Sequence, residues 1–301
     1  MTASILAVGS VALDAIETPY GSRDPIVGGS ATFFSVSASF FAPVQLVGVV
    51  GDDFPDWAVT MLRERHVDLQ GLKHVPGKTF RWAGRYDDTL TQRVTLETQL
   101  NVFETFRPEI PEAYRDARFV FLGNIDPTLQ SLVLDQVRAP RLVVADTMNF
   151  WIQGARAALV ETLKRVDVLV INEEEIRQLA DEFNVLRAAK KVHAMGPRIL
   201  VVKRGEYGAF LFQGEDVFAA TAFPLSNVVD PTGAGDTFAG GFVGSLARAM
   251  EIDDRALRRA VIFGSVMGSF SVEGFGLDRL QRLTMAEIDE RFAAFRRLRQ
   301  F

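Results

Sequence analysis

Short apolar runs, separated by stretches with helical periodicity, recur along most of this chain. Residues 5–8 (Ile-Leu-Ala-Val) end in Gly9-Ser10 and read as a buried first strand. Residues 46–50 read as a second, closing on Gly51-Asp52-Asp53. From residue 118 the rhythm becomes regular, with strands expected at 119–122, 142–145, 168–171 and 199–202 and helices near 127–138, 153–165, 173–183 and 185–195. Apolar strands alternating with helices predict parallel βαβ units, and so a doubly wound α/β sheet flanked by helices. Further helices are expected from Gly28-Gly29 towards Pro43, over 54–66 with Trp57, Met61 and Leu62 inward, over 255–272, and over 284–299. The last opens with Thr284 followed three residues later by Glu287, the capping-box pattern. No internal repeat or linker interrupts the series, so residues 1–301 read as one domain.

Two stretches depart from that rhythm. Residues 79–86 (TFRWAGRY) and 91–98 (TQRVTLET) are rich in β formers, partly alternating, and joined by Asp87-Asp88-Thr89-Leu90. They predict an antiparallel hairpin outside the α/β pattern, placed as a lid. Its Arg81, Arg85 and Arg93 could touch a substrate or solvate an exposed face. Residues 199–208 predict a strand, then a turn with Gly205 and Gly208, then a hairpin strand over 209–212.

Chemistry concentrates in residues 227–247, NVVDPTGAGDTFAGGFVGSLA. Phe238, Phe242, Leu246 and Met250 recur every four residues and mark one face of a helix. Gly233, Ala234 and Gly235 precede that face, where free N–H groups and the positive end of the helix dipole favour an anion. Asp236 would repel an anion held there. It makes sense if it accepts a proton while the backbone stabilises a phosphate. An ordinary capped helix is the plainer reading, since Asp and Gly cap and turn chains routinely. Against it, Gly240, Gly241 and Gly244 each cost about 1 kcal/mol relative to Ala, which implies that something large approaches this helix closely. At the strand ends, Asp14, Asn124, Asp126, Asp146, Asn149, Asn172 and Glu175 fall where the ligand crevice of such a sheet lies.

Composition narrows the chemistry. The chain has 301 residues, 48% of them hydrophobic, enough for a sizeable core. Its formal charge is −5, and only Arg296, Arg297 and Arg299 form a basic run, so a nucleic-acid partner is not expected. With no cysteine, disulfides, thiolate metal sites and a Cys nucleophile are excluded. His66, His74 and His193 lack zinc-site spacing and read as ordinary surface or loop residues. No signal-peptide pattern or stretch of about 20 apolar residues is present, so the expected setting is cytoplasmic with no membrane partner.

The run Asp230-Pro231-Thr232-Gly233-Ala234-Gly235-Asp236-Thr237-Phe238 resembles the C-terminal signature of the ribokinase-like (PfkB) carbohydrate kinases. The resemblance extends to Asn172 and Glu175, which match the family's N-x-x-E motif, and to the Gly28-Gly29 pair. It implies a ribokinase-like doubly wound, mostly parallel sheet with a small β lid. It also implies transfer of a phosphoryl group from ATP to a hydroxyl of a small molecule, a sugar or sugar-like compound. Asp236 would be the general base, with Gly233, Ala234 and Gly235 stabilising the phosphoryl. Asn172, Glu175, Lys203, Gly205, Gly208, Thr232 and Gly274 would serve ATP, and Glu175 and Asp230 the Mg2+. A monovalent cation such as K+ is used by some members near the 272–276 loop. Asp14, Gly28, Gly29, Phe33 and Asn149 would face the acceptor. Many members place an Asn where this sequence has Phe33, and Phe33 with Phe34 could offer an aromatic face or belong to the core. Oligomeric state stays open; an uncovered lid sheet would favour a homodimer through the β lid.

Other readings stay open. A nucleoside or inositol kinase would share every motif above. A non-catalytic sensor would keep the fold and bind without turnover. The Walker pattern, the dinucleotide G-x-G-x-x-G and the protein-kinase H-R-D and D-F-G elements are absent, which disfavours other nucleotide enzymes and makes a dehydrogenase the most remote reading.

Overall fold

The structure, a computed structural model, describes residues 3–298. Thirteen strands are present among them: β1 (Ile5–Val8), β2 (Ala12–Thr18), β3 (Gly21–Gly28), β4 (Val44–Val50), β5 (Val67–His74), β6 (Phe80–Tyr86), β7 (Arg93–Gln99), β8 (Phe119–Leu122), β9 (Leu142–Asp146), β10 (Val168–Asn172), β11 (Ile199–Lys203), β12 (Ala209–Gln213) and β13 (Asp216–Ala220). Nine form one sheet in the order β13-β12-β11-β10-β9-β8-β1-β4-β5. It is parallel from β11 to β5, with β12 and β13 antiparallel at one edge. Side chains alternate across it. Ile5, Ala7, Phe119 and Phe121 enter one core, and Leu6, Val8, Val120 and Leu122 the other. Strands buried on both faces read as continuous apolar runs, and for that reason they were legible in the sequence.

The helices are α1 (Ser30–Ala38), α2 (Asp56–Glu64), α3 (Pro127–Leu134), α4 (Asn149–Gly154), α5 (Arg156–Leu163), α6 (Glu173–Ala180), α7 (Val185–His193), α8 (Ala234–Ala249), α9 (Asp254–Ser271), α10 (Asp278–Arg282) and α11 (Met285–Leu298). Those expected from periodicity are present, mostly shorter than the pattern suggested. Helices α1, α2, α8 and α9 pack on one face, and α3, α5, α6 and α7 on the other. The capping box at Thr284 forms, with reciprocal bonds between Thr284 and Glu287. One inward expectation fails: Trp57 is 51% exposed. The buried stripe of α2 runs through Ala58 and Leu62, four apart, and leaves Trp57 beside it. Residue Arg299 and the end of the helix expected to 299 lie outside the described residues.

The hairpin expected as a lid belongs to a larger sheet. Strands β6 and β7 pair antiparallel, as expected, but β2 and β3 join them in a four-stranded sheet of order β3-β2-β6-β7. The sequence signal missed β2 and β3 because β3 is mostly polar and carries Pro25, and because Gly21 and the short connection hide the alternation. Strand β7 is one of its two edges and exposes Val94 and Leu96.

Candidate active site

The connections from β1 run to β4 on one side and β8 lies on the other, so the strand order reverses at β1. A crevice opens at the carboxyl ends of the strands at such a reversal. Ser10, just past β1, and Ser30, at the start of α1, exchange bonds: each backbone N–H donates to the other's Oγ, at 3.2 and 3.0 Å. Gly29 between strand and helix has φ +93°, and a Cβ there would overlap the Ser10 carbonyl oxygen. A Cβ at Gly28 would overlap the carboxylate of Asp14. The Gly-Gly pair therefore makes room for a buried carboxylate. Burial pushes Asp14 up to about 7, helped by the charges of Asp230 and Asp236, while the Gly29 N–H and Arg93 pull the other way.

The second wall is the start of α8. Gly233 is its N-cap residue, in the left-handed region at φ +73°. A Cβ on Gly233 would lie 2.5 Å from the ring of Phe33, which is 1% exposed. Phe33 thus lies beneath the loop, and with Phe34, stacked on Phe121, it belongs to the core. This corrects the expectation that Phe33 faces the acceptor: the first turn of α1 is fully buried, so no aromatic face is left open. Asp230 is also fully buried. Its Oδ1 accepts from the Thr232 N–H at 2.9 Å and its Oδ2 from the Gly276 N–H at 3.0 Å. Oδ1 shapes the loop itself and Oδ2 braces it against Gly276, a geometry that does not support the expected role as an Mg2+ ligand. Ala234 donates its N–H to the Pro231 carbonyl at 3.2 Å, so its backbone is committed to the loop as well.

Beyond Gly235 lies a buried cluster of charge. Lys203, the last residue of β11, brings Nζ to 3.5 Å from Oδ2 of Asp146, the last residue of β9. The same Nζ stands where a side chain on Gly235 would begin, 2.7 Å from the site of its Cβ. Burial disfavours the ammonium, but Asp146, Glu175 and Asp236 around it outweigh that and hold it charged. Burial raises Asp146 against the pull of Lys203. Glu175 is raised to about 7 by burial, opposed chiefly by Lys203. Asp236, in the first turn of α8, is raised to about 7 by burial and then by Asp146, again opposed by Lys203. Among the described residues, a half-buried carboxylate raised to about 7, a lysine and a glycine-rich helix start therefore converge on one crevice.

The sequence matches the pfkB family carbohydrate kinase description over residues 2–281. The chain belongs to the pfkB family of carbohydrate kinases. It is 30% identical over 257 residues to a cytidine kinase of Thermococcus kodakarensis, covering 83% of this chain and 91% of that one. It is 32% identical over 311 aligned positions to an inositol 3-kinase of Arabidopsis thaliana, covering 95% and 78%. In structure it resembles a fructokinase from Vibrio cholerae solved with fructose, ADP and a calcium ion, at TM-score 0.80 and 17% identity over 96% and 98%. The ribokinase-like fold and the activity class, phosphoryl transfer to an alcohol, are thereby those of this chain. Kinases of this family work with ATP and a divalent metal.

A helix start presenting glycine N–H groups beside Lys203 Nζ suits a phosphate. No group of three or more His, Cys, Asp or Glu residues able to hold a metal occurs among the described residues. Magnesium commonly keeps its waters and leans on substrate phosphates, so one acidic residue nearby suffices. Glu175 fits that role in part. Its Oε2 accepts from the Asn172 N–H at 3.0 Å, and Asn172 Oδ1 accepts from the Glu175 N–H at 2.8 Å. The N-x-x-E motif is thus first a capping box for α6. Its half-buried carboxylate nevertheless lies within electrostatic reach of Lys203 and Asp146.

Other expected residues sit apart from this convergence. Asn149 is exposed at the start of α4 and accepts from the Phe150 N–H. Gly208, at φ +94°, is required by its turn, since a Cβ would overlap the Ala220 carbonyl; Gly205, at φ +55°, faces open space. Gly274 lies in the loop whose Val272 carbonyl accepts from the N–H of Val229. Glu273, beside it, is held by Arg279 and Arg291, the latter 3.4 Å over the Phe270 ring. From sequence, Asp146 stands out only as an acid at the end of an apolar strand, and Arg93 only as one of three hairpin arginines. Tyr86 carries no signal, because its place depends on how two sheets meet.

Proposed function

We propose that this kinase transfers the γ-phosphoryl of ATP to a hydroxyl of a small ring-bearing polyol, a sugar or sugar-like acceptor, with Asp236 as general base. The observation that carries the reading is the placement of Asp236. It is a half-buried carboxylate raised to about 7, in the first turn of the helix that opens with Gly233-Ala234-Gly235. A base poised near neutral pH combines the correct protonation state with enough basicity to take a hydroxyl proton. The acceptor oxygen then attacks phosphorus as its O–H bond breaks, the bond to the ADP oxygen breaks, and the proton resides on Asp236. With Ala234 committed to Pro231, the N–H groups of Gly233 and Gly235 face the transferring group, and Lys203 supplies positive charge beside them. Magnesium, when bound, neutralises phosphate charge; Glu175 and waters would hold it. Phosphoryl transfer asks the protein mainly for positioning and electrostatics.

Asp14 supports the acceptor side, since a carboxylate at a crevice wall suits hydrogen bonds from vicinal hydroxyls. A nucleoside acceptor is the second reading, favoured by the 30% identity to the Thermococcus cytidine kinase. The decisive measurement is ADP release from ATP and magnesium across ribose, fructose, myo-inositol, cytidine and inosine. Asp236→Asn is expected to lower kcat by roughly 10²–10⁴-fold with little change in ATP affinity. Near-normal turnover by that variant removes the base assignment, and binding of acceptors without any turnover returns the chain to a sensor.

A further inference from the structure

Lid and phosphate loop are joined by one side-chain bond that the reading above does not use. Thr232 Oγ1 donates to the hydroxyl of Tyr86 at 3.1 Å, across 146 residues of sequence. Tyr86 is the last residue of β6 and pairs across the lid hairpin with Arg93, the first residue of β7. Arg93 in turn lies 5.0 Å over the ring of Trp82, two residues before Gly84 on the same face of β6. Trp82 is laid flat over Gly84, where a Cβ would overlap the indole, and its Nε1 donates to Thr95 Oγ1 at 3.3 Å. The tip of the lid is therefore a packed unit of Tyr86, Arg93 and Trp82. At the other end of the bond, the Thr232 N–H is fixed on Asp230, and Asp230 on Gly276. Gly233, which opens the helix carrying Asp236, is the next residue.

We propose that Tyr86 is a positioning residue: by accepting the Thr232 hydroxyl bond it registers the lid against the Asp230–Gly233 loop and so sets the loop for phosphoryl transfer. The bond ties the far end of β6 to the loop, whereas the residue before β6, Thr79, is bonded to Gly51 and Asp53 beyond the end of β4. Lid and loop therefore settle together, and a loop relaxed by loss of the bond presents Gly233 and Asp236 in more than one register. Tyr86 keeps its proton at neutral pH, because burial pushes its hydroxyl above the usual tyrosine range. Its part is to hold the loop, with no proton transferred to or from it.

This inference rests on the kinase reading for its catalytic consequence, but its coupling can be read without turnover. Hydrogen–deuterium exchange on the full ligand-free chain, parent against Tyr86→Phe, is the experiment. Exchange is expected to rise several-fold in both the 80–99 lid peptide and the 228–235 loop peptide, with 168–172 and 199–203 unchanged. Thr232→Val should reproduce that pattern, Thr232→Ser should restore the parent's protection, and the Tyr86→Phe, Thr232→Val double variant should be no worse than either single one. With an acceptor found in the panel above, Tyr86→Phe lowers kcat by roughly 3- to 10-fold, the scale of one hydrogen bond, at an ATP KM within about twofold. A lid that loosens alone, additive single effects, or uniform loss of protection overturns the proposal. If no acceptor is turned over by the parent, the kinase reading fails while the exchange result still decides the coupling.

Discussion

At the scale of the residue, the active-site signature turns on what glycine leaves out. Gly235 lies outside the left-handed region, yet a side chain there would begin 2.7 Å from Lys203 Nζ. The obstacle is the far end of a flexible side chain, so Gly235→Ala can be accommodated by moving the lysine. Alanine also favours the helix by about 1 kcal/mol. The expected result is a Tm within about 2 °C of the parent and a kcat lower by at most the roughly 10²–10³-fold seen when a charge-stabilising donor is removed outright. A loss of Tm with turnover intact would show instead that Lys203 does not serve the phosphoryl. Phe33 shows the limit of residue-level reading. Its spacing allowed either an open aromatic face or a core position, and only the packing against Gly233 selects the core.

At the scale of the element, α8 explains its own composition. The three glycines inside it implied a close approach, and the structure shows what approaches. A Cβ at Gly240 would lie 2.5 Å from the Phe34 carbonyl oxygen in α1; at Gly241, 2.7 Å from Met267 and from the Phe263 carbonyl in α9; at Gly244, 2.9 Å from Phe41. The helix is clamped between α1 and α9, with Ser37 Oγ donating to the Thr237 carbonyl at 2.7 Å. This clamp holds the end that carries Asp236. Gly240→Ala must push a backbone carbonyl aside, so it should destabilise by about 1–3 kcal/mol in urea unfolding with an unchanged m value. Gly154→Ala, at the end of α4 with nothing within 4 Å, is the control and should be neutral or slightly stabilising. Equal losses at both positions would rule out close packing as the reason for Gly240.

At the scale of the whole molecule, the active site sets how stability depends on pH. Asp14, Glu175 and Asp236 are each raised to about 7, against ordinary values of 3.8, 4.5 and 3.8, with burial the first cause of all three. Between about pH 4 and 7 the folded chain therefore holds more protons on these groups than the unfolded chain does, and stability falls as pH rises. Partly exposed carboxylates that are lowered, Glu182 and Glu287 at about 2, stabilise above their ordinary values and lose that effect only below about pH 4.5, at the acid end of this window. The ligand-free protein should thus melt on the order of 5 °C higher near pH 5 than near pH 8. Asp236→Asn should narrow that difference and raise Tm at pH 8. A Tm that is flat or rising over this range would mean that the carboxylates are relieved by solvent.

What the sequence determined by itself follows from local physics. Strands buried on both faces must be apolar throughout, helices must repeat near 3.6 residues, and a glycine-rich turn before a helix needs those residue types in order; each is written in a single segment. From these came the doubly wound sheet, the lid hairpin and the run from Asp230 to Phe238. Only tertiary structure decided the rest, because it depends on distances between segments far apart in the chain. Asp146 meets Lys203 because β9 and β11 flank β10; Tyr86 meets Thr232 because a second sheet folds over the first; Asp230 has both oxygens occupied because residue 276 returns beside it. The same physics left Glu175 and Asp236 as simple acids in the sequence and raised them to about 7 in the fold, since burial belongs to the whole chain and to no one segment.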